Sequence, residues 1–145
     1  ALYLSVGSEL DTAPLIAALR RAGKTLWVPF IEPGKPGHMR MTPMPTVETL
    51  RPGPFRIPQP TRAIRRRMRG AAMLVLPLTA YDPRGHRLGS GAGYYDRWLQ
   101  RQTPRPFCLG YALACQQVAA LPRESWDQRL DAVCTERGLH RFQRD

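Results

Sequence analysis

Long apolar runs, lysine and paired cysteines are all scarce in this chain of 145 residues, and each shortage removes a class of protein. No stretch approaches the ~20 consecutive apolar residues of a membrane-spanning helix, and no basic segment precedes an apolar one at the N-terminus as it would in a secretory leader. A soluble, cytoplasmic chain that does not engage membranes is expected. Cys108, Cys115 and Cys134 are odd in number and lack CxxC or zinc-ligand spacing, which argues against a disulfide framework or structural zinc and for buried free thiols. Acidic residues number 11 against 22 basic ones, and Lys24 and Lys35 are the only lysines among the latter. The resulting net charge of +11 attracts polyanions, nucleotides and nucleic acid alike, without choosing between them.

What is present suffices for one domain over residues 1–145, since a chain of this length buries about two thirds of its unfolded surface without staples. Residues 2–6 read as a short strand that ends at Gly7-Ser8-Glu9. A helix follows, with Asp11 or Thr12 as its cap, Pro14 in its first turn, Leu15, Ile16 and Leu19 as its apolar face and Gly23 as its stop. Residues 25–31 return as a second strand, which predicts a strand-helix-strand unit with parallel strands and a right-handed crossover. The expected fold class is α/β: a single domain with a mostly parallel sheet flanked by helices in three α/β/α layers, and ligands at the carboxyl ends of the strands.

Between 32 and 60 prolines and glycines are too dense for long elements, although short edge strands at 38–42 and 46–50 are compatible with the pattern. The segment 53–60 reads as a rigid, extended surface connector. In the tract 62–69, Ile64 and Met68 lie four apart among arginines, as in a short amphipathic helix. Those arginines suit either a solvated face or an anion contact, and no aromatics are interleaved for base stacking. Residues 106–112 read as another buried strand, and 116–122 as a short helical turn ended by proline.

The stretch 73–99 carries the chemistry. Residues 73–78 read as a strand buried on both faces, and Asp82-Pro83-Arg84-Gly85 is turn chemistry. Gly89, Gly91 and Gly93 then remove side chains at alternate positions before helix-compatible residues resume at Tyr94. A glycine loop between a strand end and a helix start suits a phosphate, with Arg87 and Arg97 as flanking charge, although alternate glycines also build ordinary hairpins.

Arg87-Leu-Gly-Ser-Gly-Ala-Gly-Tyr-Tyr-Asp-Arg97 is neither the P-loop order nor the dinucleotide fingerprint. It closely resembles the signature of the 5-formyltetrahydrofolate cyclo-ligase family, also called 5,10-methenyltetrahydrofolate synthetases. The resemblance runs from Leu2 to about Gly138. It implies an enzyme that turns 5-formyltetrahydrofolate and ATP into 5,10-methenyltetrahydrofolate, ADP and phosphate with Mg²⁺. In the implied scheme the formyl oxygen attacks the γ-phosphate, N10 closes the imidoyl phosphate, and phosphate leaves. Such a phosphoryl transfer depends on in-line placement and charge neutralisation rather than on a protein nucleophile.

The resemblance assigns Arg87, Leu88, Gly89, Ser90, Gly91, Ala92, Gly93, Tyr94 and Tyr95 to ATP, with Arg87 and Tyr94 in the catalytic role. Ser90, Gly91, Ala92, Gly93 and Tyr94 are shared with the folate. Asp96 and Asp131, the latter in the pattern Asp127-x-x-x-Asp131-x-x-x-x-Glu136, would bind the metal; read without the resemblance, each is a helix cap or a surface ion pair. Asp127 is a cap or a group behind the metal ligands. Val6 and Glu9 lie in the implied pterin motif, where a carboxylate accepts the paired donors of the pterin edge; Glu9 also reads as a helix-flanking acid. Phe55 would help wall the folate site. His38, His86 and His140 match no role.

Two departures stand out. Relatives begin with a basic helix whose cations reach the ATP phosphates, and no equivalent precedes Ala1 in this sequence, so the expectation is either a longer chain of which this is a part or a short relative with weakened nucleotide binding. Ala92 stands where relatives often have glycine or lysine; it disfavours a strongly positive φ and brings no charge. The alternatives kept open are a non-catalytic folate or nucleotide binder and an RNA-binding domain on the same fold. A monomer acting on a small folate, bearing a polyglutamate tail or not, is the leading expectation.

Overall fold

Prolines and glycines punctuate this chain so closely that its elements are short, and the computed structural model describes residues 1–46, 49–64, 66, 68 and 70–143. The chain divides into two compact units, Ala1–Arg69 and Gly70–Asp145.

In the first unit α1 (Ala13–Arg21) begins with Thr12 at its N-cap and Pro14 in its first turn. Asp11 supplies the capping oxygen, its Oδ1 accepting the Ala13 N–H at 2.9 Å, while Thr12 Oγ1 accepts the N–H of Ser5 at 3.3 Å. Gly23, at φ +67°, ends the helix in a Schellman turn: Lys24 N–H reaches Leu19 O at 3.0 Å and Gly23 N–H reaches Arg20 O at 2.9 Å. Wholly buried β1 (Trp27–Ile31) pairs antiparallel with β2 (Met39–Pro43). The expected parallel strand-helix-strand unit is not formed, because residues 3–6 carry no strand to pair with β1. The Pro-Gly segment after Ile31, with Gly34 and Gly37 at φ +72° and +79°, reverses the chain, and the neighbouring segment becomes the strand partner. Lys35 in that turn pairs with Glu32 at 3.0 Å. Leu2 keeps a contact of the expected first strand, its N–H reaching Trp27 O at 3.0 Å, and Leu2, Tyr3 and Leu4 are buried.

β3 (Leu50–Pro52) and β4 (Pro58–Pro60) form a second antiparallel pair, joined by a one-turn 3-10 helix at Pro54–Arg56. The segment 53–60 is thus bent rather than extended, with Phe55 and Arg56 both left-handed at φ 57° and 61°. Prolines flank Gln59 in β4, so its side chain does what their missing N–H groups cannot. Its Oε1 accepts Ile31 N–H at 3.0 Å and its Nε2 donates to Ile31 O at 3.3 Å, a side-chain copy of a sheet ladder. Of the arginine tract, 65, 67 and 69 lie outside the described residues. The described members carry no helix, and Ile64, expected to seat on the domain, is exposed.

In the second unit β5 (Met73–Leu76) leads to a small hairpin of β6 (Ala80–Tyr81) and β7 (Arg87–Leu88), then to α2 (Tyr94–Leu99) and β8 (Phe107–Tyr111). β9 (Ala132–Thr135) and β10 (Gly138–Arg141) follow, completing a sheet of order β10-β9-β8-β5. Here β5–β8 is parallel, in keeping with the two buried runs, and β8–β9, which the sequence had not marked as a strand pair, is parallel as well. Among the described residues the other four strand pairings are antiparallel, so the fold is mixed α/β rather than mostly parallel. Among the described residues each unit carries one α-helix, and the expected three-layer arrangement is not a property of either alone. Leu74, Leu76, Cys108, Ala132 and Val133 fill the sheet's core. Gly110 packs so closely that an added Cβ would lie 2.8 Å from the side chains of Leu130 and Leu78. The helical turn expected at 116–122 lies earlier, at Ala114–Gln116, because Gln116 swings its amide onto the carbonyls of Leu78 and Thr79. The three thiols are free, with Cys108 buried but Cys115 exposed, against expectation. No helix among the described residues is long and apolar enough to cross a membrane.

Candidate functional site

A rigid turn between β6 and β7 sets the position of Arg87. The buried Asp82 carboxylate organises that turn: Oδ1 accepts N–H groups from Arg84 at 2.9 Å and His86 at 3.0 Å, while Oδ2 lies 2.9 Å from His86 Nδ1 and accepts Leu121 N–H at 3.3 Å. Burial alone would raise this carboxyl's pKa, but the bonds from His86, Leu121 and Arg84 together hold it below the ordinary aspartate value. Gly85 completes the turn at φ +84°, where a Cβ would meet Leu130 O and the Phe142 ring at 3.0 Å.

Arg87 then projects a side chain only 6% exposed, and its Nη2 contacts both Asp96 oxygens at 3.0 Å. Its Nε is buried with no hydrogen-bond partner among the described residues. Gly89 lies against the same guanidinium, since a Cβ there would come within 3.1 Å of Nη1. The loop bends at Gly91 (φ +90°) and Gly93 (φ +64°), while Ala92 stays outside the left-handed region. The alanine therefore costs the backbone nothing. Arg97 folds back over the loop, its Nη2 donating to Ala92 O at 2.5 Å and its guanidinium lying 5.4 Å from the Tyr94 ring centroid. Ser90 and Leu88 are exposed, and Tyr94 and Tyr95 half-buried. With six residues and Asp96 in its first turn, α2 supplies little of the expected helix-end field, so the loop's positive charge comes from Arg87 and Arg97.

Of the two expected metal ligands, Asp96 sits at this loop, where its Oδ1 also accepts Gln128 N–H at 3.0 Å. Asp131 is buried at the start of β9, its Oδ2 accepting Arg105 Nη1 at 2.8 Å and Cys108 N–H at 2.7 Å. Gln128 ties the segment leading to Asp131 onto Asp96. Asp127 acts as a turn cap, accepting Glu124 N–H at 2.8 Å. Among the described residues no group of three or more His, Cys, Asp and Glu side chains gathers as a metal cluster. A magnesium ion needs only one or two carboxylates when water and phosphate complete its shell, and the hard oxygens here are of the right kind.

The remaining expected residues lie in the first unit. Glu9 folds back over Gly7 and Ser8, its Oε2 accepting Val6 N–H at 2.9 Å. Phe55 is 65% exposed, lifted out by its left-handed backbone. Sequence reasoning missed the Asp82–His86 pair, Arg105 and Gln128. The acid-to-imidazole spacing of four across a turn was a usable signal for the pair, whereas the other two act through distant contacts.

The model of the 5-formyltetrahydrofolate cyclo-ligase family matches residues 1–136. The 5-formyltetrahydrofolate cyclo-ligase of Escherichia coli K12 is 39% identical over 138 residues, covering 93% of this chain and 76% of that protein. The Haemophilus influenzae protein of the same name is 33% identical, covering 88% and 70%. Among solved structures, the NMR structure of Aquifex aeolicus 5,10-methenyltetrahydrofolate synthetase superposes with a TM-score of 0.80 at 30% identity, covering 99% of this chain and 71% of that one. The glycine loop with its paired Arg87 and Asp96, the mixed α/β fold and these matches agree: this chain belongs to the 5-formyltetrahydrofolate cyclo-ligase family, a family of enzymes.

Proposed function

We propose that this protein catalyses the ATP- and Mg²⁺-dependent cyclisation of 5-formyltetrahydrofolate to 5,10-methenyltetrahydrofolate, with release of ADP and phosphate. The observation that carries the reading is the buried Arg87 Nε, without a partner among the described residues, in a loop where Gly91 leaves open space while Gly89 and Gly93 lie against the guanidinia of Arg87 and Arg97. A buried donor without an acceptor is costly, and a phosphate oxygen is the acceptor that suits a guanidinium.

Arg87 binds and orients the nucleotide phosphates, with Leu88, Gly89, Ser90, Gly91, Ala92, Gly93, Tyr94 and Tyr95 as the wall of their site. Arg97 holds the Ala92 carbonyl in place, which keeps the loop's shape before any ligand arrives. Tyr94, under the Arg97 guanidinium, offers a ring face and hydroxyl to the folate, shared with Ser90, Gly91, Ala92 and Gly93. Asp96 and Asp131 would hold Mg²⁺. When bound, the metal supplies charge neutralisation on the transferring phosphoryl group. Arg105 and the Cys108 N–H keep Asp131 oriented, as Arg87 and the Gln128 N–H do for Asp96. Val6, Glu9 and Phe55 are the pterin contacts of the first unit. Glu9 is already turned onto the Val6 N–H, so its carboxylate is pre-oriented for the pterin's donor edge.

The test follows the rise of methenyl absorbance with ATP and Mg²⁺ in the wild type and in Asp96→Asn. Turnover is expected in the wild type, with kcat lower in the variant by on the order of 10²-fold. A wild type inert toward the folate, or a variant of undiminished rate, would count against the reading.

A further inference from the structure

Besides the glycine loop, and sharing none of its residues, the second unit holds a cleft of about 410 Å³ lined by His86, Arg123, Glu124, Ser125, Asp127 and Arg129. Two of these side chains are already occupied. Asp127 accepts the Glu124 N–H at 2.8 Å, and the Arg129 guanidinium donates from Nε to Arg84 O at 2.8 Å and from Nη2 to Gln143 O at 3.3 Å. Others are not. Among the described residues the Arg123 guanidinium and the Ser125 hydroxyl have no partner. His86 is 8% exposed and fixed through Nδ1 to Asp82, so Nε2 is the nitrogen left for whatever enters the cleft.

We propose that this cleft is a phosphate site, in which Arg123 and the Asp82-oriented imidazole of His86 hold a phosphate group with Ser125 as a further donor. Hydrogen-bond chemistry selects the ligand. With Nδ1 committed to Asp82, Nε2 accepts a hydrogen bond from the ligand when the ring is neutral and donates one when it is an imidazolium. A protonated phosphate carries both O–H and O⁻, so it satisfies Nε2 in either state while its anionic oxygens take the guanidinium. A carboxylate satisfies only the imidazolium. Glu124 and Asp127 oppose any anion, but Asp127 is turned onto the Glu124 N–H and Glu124 is exposed, where solvent screens it. The site is distinct in its residues from Arg87 and the glycine loop, and the inference does not rest on the cyclo-ligase reading.

The experiment is NMR of histidine-labelled whole protein, in which His86 is told apart from His38 and His140 by a His86→Gln spectrum. Inorganic phosphate, glycerol 2-phosphate and acetate are titrated in turn at constant ionic strength. Both phosphates are expected to move the His86 signals saturably, with an affinity on the order of millimolar, and acetate to move them far less. Tighter binding of the ester points to a phosphate monoester as the natural ligand, and equal binding to free phosphate. Arg123→Ala should weaken phosphate by about tenfold, the loss of one charge-assisted bond, and Glu124→Gln should tighten it. Both positions are exposed, so folding is preserved. The proposal is overturned if His86 does not respond, if acetate matches phosphate, or if Arg123→Ala binds phosphate as tightly as the wild type.

Discussion

Arg87 is the residue on which the proposed site of the second unit turns, because its side chain is buried, its Nη2 reaches both Asp96 oxygens and its Nε has no partner among the described residues. Such an orphan costs about 1–3 kcal/mol, a penalty that a phosphate oxygen would lift. Arg87→Lys keeps the charge but loses the planar fork. Steady-state kinetics should show kcat/KM for ATP falling about 10- to 100-fold, with a smaller rise in Tm on adding ATP than in the wild type. Asp82 makes a different prediction, about pH. Its folded pKa lies below the ordinary value of 3.8 through its hydrogen bonds, so its contribution is present at neutral pH and lost as pH falls through the folded value. Asp82→Asn should therefore cost about 2 kcal/mol in urea unfolding at pH 7, and the gap between variant and wild type should narrow below about pH 4. A gap constant with pH would mean that the carboxylate's charge does not matter.

Among the elements, the β6–β7 hairpin is the one whose geometry the site depends on. Gly85→Ala puts a Cβ against Leu130 O and Phe142 at a residue with φ +84°, and a loss of about 2–3 kcal/mol is expected by urea unfolding. Gly34→Ala, at φ +72° but with nothing within 4 Å of its added Cβ, should cost about 1 kcal/mol. This hairpin was only half readable in the sequence. Asp82 to Gly85 announced a turn, but strands of two residues are too short for any periodicity, and the grip of Asp82 on Leu121 is a tertiary fact. The apolar runs that became β5 and β8, and the helix between Pro14 and Gly23, were legible because their signals are local. The partner of β1 was anticipated as an edge strand at 38–42, but its antiparallel pairing was not, since that pairing is set by the Pro-Gly turn after Ile31. The glycine spacing of 89–93 located the loop, yet the holds of Arg105 on Asp131 and of Gln128 on Asp96 span 26 and 32 residues and leave no pattern in the chain.

Over the whole molecule, a charge of +11 on 145 residues should make nucleotide capture sensitive to salt. Raising NaCl from about 0.05 to about 0.5 M shortens the Debye length from well over 10 Å to a few Å, so kcat/KM for ATP should fall several-fold while kcat changes less. A salt-independent kcat/KM would mean that only local contacts draw the ligand in. The same basicity is almost entirely guanidinium. Lys24, beyond the Schellman turn of α1, and Lys35, in the turn after β1, are the only lysines, and both belong to the first unit. To amine-directed reagents the second unit's side chains are silent. A fluorophore or a surface tether coupled through lysine would therefore leave the side chains of the glycine loop, Arg87 and the proposed phosphate cleft unmodified, so that labelling is confined to the first unit without any engineering of the second.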